Sequence, residues 1–159
     1  MNIMVDTQIW IFSKKIPKKD KYNSEFDFQK ALKLHKKAKK FFQNLPEKTI
    51  IYISTHQLGE LYHSLSFGGA KIPFEQSKNF ILELCRSKNV EIIPYTEQDI
   101  KTALKLSTES KIHIWDYLCV LPLLEHLKLI YSNDIHLKDK TFSNLGLKIE
   151  NPVEIWQKI

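Results

Sequence analysis

Cysteine is nearly absent from this 159-residue sequence: Cys85 and Cys119 stand far apart, with neither Cys-x-x-Cys spacing nor a surrounding His/Cys cluster. That argues against a disulfide framework, a zinc ribbon or a redox pair, and both thiols, set in apolar helical patterns, are expected to be buried. Glycine is scarce too, at four residues. No P-loop, dinucleotide fingerprint or Gly-x-Ser-x-Gly elbow occurs, which removes the common nucleotide-binding and serine-hydrolase signatures. Long apolar runs are missing, and so are the basic start, apolar stretch and small-residue cleavage site of a signal peptide. These absences predict a soluble, cytoplasmic protein with no membrane partner. Internal repeats, low-complexity tracts and interdomain linkers are also lacking, and the length suits one compact domain spanning residues 1–159.

What is present is unevenly distributed. The net charge is +6, but residues 14–48 hold twelve lysines and four acids, a local +8 that leaves −2 for the rest. This lysine-rich, mainly helical segment suits a polyanion, because lysine contacts to phosphate release counterions without reading sequence. A solvated helix face or an acidic partner protein would account for it equally.

Short apolar runs alternate with helical periodicity. Asn2 to Val5 reads as a buried strand followed by a loop. Phe28, Leu32, His35, Ala38, Phe42 and Leu45 then recur at helical spacing until Pro46. Thr49 to Ser54 is a second strand, followed by a helix carrying Leu58, Leu61, Tyr62 and Leu65 that ends at Gly68-Gly69. Pro73 opens another helix before the strand Val90 to Ile93. Thr96 and Asp99 form a capping box for the next helix. From Asp116 an apolar segment runs to Leu127 as a buried helix kinked at Pro122. Leu129 to Ser132 is a core strand, Leu147 to Ile149 an edge strand, and a short helix starts at Pro152. The alternation predicts an α/β protein with a mainly parallel central sheet covered on both faces, and ligands outside the carboxyl ends of the strands.

Four acids stand out against that framework. Asp6 and Asp134 each follow a strand and so emerge at one rim. Asp116, at the start of a buried helix, and Glu60, in the helix after the second strand, reach the same crevice if their helices begin there. Converging carboxylates repel one another, and a fold that gathers them normally supplies a hard divalent cation, Mg²⁺ or Mn²⁺. Each acid also has a structural explanation: turn positions for Asp6 and Asp134, an N-cap for Asp116, a solvated helix position for Glu60. Thr7 and Ser132 place hydroxyls beside the acids, as carboxylate-orienting groups or as ordinary loop donors. Glu60 and His63 have Glu-x-x-His spacing, but the second copy that a di-iron bundle needs is missing. The remaining histidines, His35, His56, His113, His126 and His136, show no zinc spacing and fit surface or core-edge positions.

Asp6-Thr7 after the first strand, Glu60 in the second βα unit, Asp116 beginning a buried helix and Ser132-Asn133-Asp134 after the next strand resemble, in order and setting, the PIN domain family. The interval from Asp116 to Asp134 resembles that of its VapC-type toxin ribonucleases, and the likeness covers almost the whole chain. It implies a three-layer α/β/α PIN-like domain in which Asp6, Glu60, Asp116 and Asp134 are catalytic and bind one or two Mg²⁺ or Mn²⁺ ions to hydrolyse RNA. It also implies a cognate antitoxin and a homodimer. The lysine-rich segment is longer than in compact members, and His136 stands where many members carry another acid. Two other readings are a catalytically inactive PIN-like module that holds RNA or a ribonucleoprotein, and a phosphoacceptor receiver domain. Val5-Asp6-Thr7 lacks the acidic pair that the receiver requires.

Overall fold

The computed structural model describes residues 1–158. Its elements run β1 (Asn2–Val5), α1 (Thr7–Lys14), α2 (Glu25–Gln43), β2 (Ile50–Ser54), α3 (Thr55–Ser66), α4 (Phe74–Arg86), β3 (Val90–Ile93), α5 (Glu97–Ser110), α6 (Ile114–Val120), β4 (Leu129–Tyr131), α7 (Lys140–Asn144) and β5 (Lys148–Glu150). The strands form a sheet in the order β3-β2-β1-β4-β5, with every pairing parallel. This is the expected three-layer α/β/α arrangement.

Alternation along β1 distributes the core. Ile3 and Val5 face the layer of α1 to α4, where they meet Ile9, Trp10, Leu34, Ala38, Leu61, Leu65 and Leu84. Met4 points the other way and joins Ile130, Tyr117, Leu118, Leu123 and Phe142. A strand buried on both faces needs a continuous apolar run, which is why Ile3-Met4-Val5 reads as one. Tyr117 stacks on Phe142 with ring centroids 5.0 Å apart, tying α6 to α7.

Several expectations require correction. The residues after β1 form α1, not a loop: Ile9-Trp10-Ile11-Phe12 is apolar without a break and hides its helical period, while Ile9 and Trp10 are buried. Helix α6 starts at Ile114 with His113 as its N-cap, so Asp116 lies inside the first turn and is not the cap. Pro122 does not kink a long helix. The α-helix stops at Val120 and the chain tightens into a 3-10 turn over Leu121–Leu123, consistent with the amide that proline lacks. No helix follows Pro152 among the described residues; Glu154 takes a left-handed φ of 61°, and Gln157 bridges back to Asp134. Cys119 is buried, but Cys85 is exposed on α4. The Thr96–Asp99 capping box forms as read, with both reciprocal bonds present. Of the lysine-rich segment, residues 25–43 are the helix α2, and residues 15–24 are irregular around a 3-10 turn at Lys19–Lys21.

Candidate active site

The sheet order reverses at β1. Strands β2 and β3 are added on one side of it, β4 and β5 on the other. At such a switch point the connections leave in opposite directions and open a crevice at the carboxyl ends of the strands. Asp6 directly follows β1, and its amide donates to Tyr131 O at 2.9 Å, at the end of β4. Asp134 follows β4 by three residues. The two acids that follow strands therefore share the crevice that the topology creates.

Asp6 occupies the N-cap position of α1, yet its carboxylate makes no capping hydrogen bond. It accepts instead from Ser132 Oγ at 2.5 Å. Ser132 Oγ in turn accepts from the Asp134 amide at 2.9 Å, so one buried hydroxyl sets both acids. Asp134 does serve a turn, since its Oδ1 accepts from the His136 amide at 2.9 Å, but it remains in the cluster. The loop that carries it is pinned from behind: the Gln157 amide donates to Asn133 O and the Ile135 amide to Gln157 O, both at 2.8 Å.

Glu60 arrives from α3 with the rotation the site needs. Its Oε2 accepts from Thr7 Oγ1 at 2.7 Å and lies 3.6 Å from Cys119 Sγ, leaving Oε1 free of these contacts. Asp116 arrives from α6. One carboxylate oxygen each from Asp116 and Asp134 and one ring nitrogen of His136 lie within 4.8 Å of one another, a grouping able to hold a cation.

The electrostatics agree with convergence. Burial pushes the Asp6 carboxyl up to about 7; the Ser132 hydrogen bond opposes the shift, and the charges of Glu60 and Asp134 add to it. Asp116 is also pushed up to about 7, first by burial and then by Asp134, Asp6 and Glu60. Burial, and after it Glu60, Asp6 and Asp116, drive the Cys119 thiol well above its ordinary range, so it acts as a neutral donor and not as a nucleophile. Among the described residues no lysine or arginine pairs with any of the four acids, and the nearest cationic candidate is His136, whose Nδ1 is 3.7 Å from Asp134 Oδ1. Partly buried like charges without a counterion are costly, and the Asp116–Asp134–His136 grouping, with the other carboxylates beside it, suits a divalent cation.

The four acids marked in the sequence are thus brought to one place, with Thr7 and Ser132 as their positioning hydroxyls. Sequence reasoning missed Cys119 as a partner of Glu60 and His136 as a member of the cluster. The His136 signal was its place two residues after Asp134.

No family model matches the chain, and no curated protein matches it in sequence. Solved structures do resemble it. A sarcin-ricin-loop-cleaving VapC toxin of Mycobacterium tuberculosis is 17% identical, with 92% of this chain and 96% of that one covered at a TM-score of 0.59. The VapBC-1 structure of nontypeable Haemophilus influenzae is 20% identical, covering 97% and 100% at 0.56. A VapBC structure of Rickettsia felis, bound to a DNA fragment from its promoter, is 20% identical, covering 95% and 98% at 0.51. At these identities the likeness is one of fold, and the chain has the three-layer α/β/α fold of the VapC-type PIN-domain toxins.

Proposed function

We propose that the protein is a divalent-metal-dependent ribonuclease, the toxin of a type II toxin–antitoxin pair, acting at Asp6, Glu60, Asp116 and Asp134. One observation carries this reading: four carboxylates from four separate elements meet at the switch point of the sheet, and among the described residues no lysine or arginine pairs with them. The fold it shares with VapC toxins supports it.

Asp6, Asp116 and Asp134 would hold the ion, with His136 beside Asp134. A bound Mg²⁺ or Mn²⁺ supplies Lewis acidity towards a phosphate oxygen and lowers the pKa of water. Ser132 fixes the Asp6 carboxylate, so that its orientation is set before substrate arrives. Thr7 holds Glu60 through Oε2 and leaves Oε1 to orient a water and accept its proton, within reach of a phosphodiester in the crevice. The remaining acids repel a bare phosphate, which makes substrate binding itself depend on the ion.

The partners in this reading are an RNA substrate and a cognate antitoxin, the latter supported by the VapBC neighbours. A homodimer in the cytoplasm completes it. Among the described residues no helix is long and apolar enough to cross a membrane. RNA cleavage that requires Mg²⁺ or Mn²⁺ and is lost in Asp6→Asn and Asp116→Asn is the expected result. Equal cleavage by those variants would show that the site is wrong, and salt-dependent RNA binding without cleavage under either metal would favour an inactive RNA-binding module.

A further inference from the structure

The carboxyl edge of the sheet continues past the acids. Neighbouring strands lie about 4.8 Å apart, so the ends of β2 and β3 extend the crevice of β1 and β4 by one and two strand spacings. At those ends sits a second, aromatic concavity of about 610 Å³, lined by Thr55, His56, Glu60, His63, Tyr95 and Trp115. His56 stacks on Trp115 with ring centroids 4.9 Å apart and planes 13° from parallel, and Tyr95 meets His56 edge-on at 6.4 Å. Trp115 stays 48% exposed and Tyr95 41% exposed. An indole and a phenol held open to solvent by a partly buried imidazole cost free energy that the core does not recover, since both rings could bury far more area.

Two features say what covers them. Glu60 lines this concavity and also binds Thr7 in the acidic cluster, so the two sites are continuous. Trp115 and Asp116 are consecutive in the first turn of α6, so the helix that brings a carboxylate to the crevice brings the indole beside it. The first two residues of α3, Thr55 and His56, stand at the same place, and the first amides of a helix have no acceptor within it. Flat π-faces beside a helix N-terminus, in line with a phosphodiester site, fit an unpaired nucleotide: the ring stacks and the phosphate meets the positive end of the helix.

We infer that the His56–Tyr95–Trp115 cleft is a base-stacking subsite that holds one unpaired base of a single-stranded RNA next to the bond cut at the acidic cluster. The inference rests on the ribonuclease reading. The cleft takes an unpaired base, because a base inside a duplex has no free face to offer the indole.

The test uses a short single-stranded RNA carrying 2-aminopurine at successive positions, bound by the full-length chain in an Asp6→Asn background with Mn²⁺ present. Fluorescence should be quenched at one position beside the scissile bond. Trp115→Ala should abolish the quenching and weaken binding about tenfold, while Trp115→Phe, which keeps a ring face, should retain most of both. In the cleaving parent, Trp115→Ala should raise KM by a similar factor, with an unchanged circular dichroism spectrum. If Trp115→Ala binds and cleaves as the parent does, the inference falls and the nuclease reading stands. If the parent cleaves nothing yet quenching depends on Trp115, the subsite stands and the nuclease reading falls. If Trp115→Ala turns a dimer into a monomer with RNA affinity intact, this face joins two copies of the chain and the inference is overturned.

Discussion

Residues 14–48 carry their charge in one contiguous stretch, whereas Asp6, Glu60, Asp116 and Asp134 are scattered along most of the sequence and meet only in the fold. Most of the lysines lie exposed on the surface, with Lys15 and Lys37 partly covered. Their contacts are few: Lys19 to Glu25 at 2.8 Å, Lys14 over the Phe80 ring at 4.1 Å, Lys15 to Gly69 O at 2.7 Å, and Lys37 to Glu154. Exposed pairs of that kind contribute little, and salt screens them. Asp134 is buried and the other three acids are partly buried in the crevice, and Asp6 and Asp116 are displaced from the ordinary carboxylate value of 3.8 to about 7. Charge on the surface is screened by salt, whereas charge gathered in the crevice acts on its neighbours.

The sharpest way to break this contrast is to remove one acid. Asp116→Asn is expected to lower RNA cleavage at least about a hundredfold, the scale seen when a group acting on the reacting atoms is lost. The same substitution should stabilise the metal-free protein, because it deletes a charge that burial and three neighbours oppose. A rate loss together with a higher melting temperature would separate a functional acid from a structural one. A rate loss with a lower melting temperature would make Asp116 a structural residue.

Metal addition probes the same region without mutation. At a concentration about a hundred times its dissociation constant, Mn²⁺ should stabilise the fold by about 2.7 kcal/mol, a rise of about 5–10 °C in melting temperature for a chain of this size. The shift should vanish in Asp116→Asn and in Asp134→Asn, and should survive alanine substitution of exposed lysines on α2. A shift that persists without both acids would locate the ion elsewhere.

How much of this was legible beforehand follows from the range of each signal. The five strands and their mainly parallel pairing were readable, though not their order, because short apolar runs, bounded by turns, alternate with helical periods, and both signals are local. Asp6 and Asp134 were readable for the same reason, each being tied to a strand end. Glu60 depended on the rotation of α3, which no local pattern fixes; Leu61 and Leu65 on the buried face settle it only once the sheet is in place. The start of α6 was misplaced because His113 caps through an imidazole nitrogen, a weaker signal than an Asp in the same stretch. The aromatic cleft had no sequence signature, since His56, Tyr95 and Trp115 belong to three different connections at one edge of the sheet.

The next effect is smaller and concerns pH. Asp6 and Asp116 have folded-state values raised above their unfolded ones, so the folded state holds extra protons between about pH 4 and pH 7. The stability this gives the metal-free protein is fully present below about pH 4, declines through that window and is gone above about pH 7. Asp6→Asn removes the dependence contributed by Asp6. The melting temperature of Asp6→Asn minus that of the parent should therefore grow as pH rises from about 4 to 7, and then level off. Saturating Mn²⁺ should reverse the trend in the parent, because an ion competes with those protons. A difference that stays flat with pH would mean that Asp6 is solvated and that the crevice is more open than its burial indicates.

The smallest expected effect lies in the basic segment. Lys33, Lys36 and Lys40 are exposed on α2 at helical spacing, and alanine keeps the helix intact. If they follow the phosphate backbone of a single strand, replacing all three should leave the folded state alone and flatten the plot of log affinity against log salt. The expected change is about 0.7 in slope for each lysine that had displaced a counterion. An unchanged slope in the triple variant would remove RNA as the partner of this face and leave a solvated helix or an acidic protein surface. A flattened slope would join the two charged regions in one task, with a screened surface gathering the strand that the acidic crevice cuts.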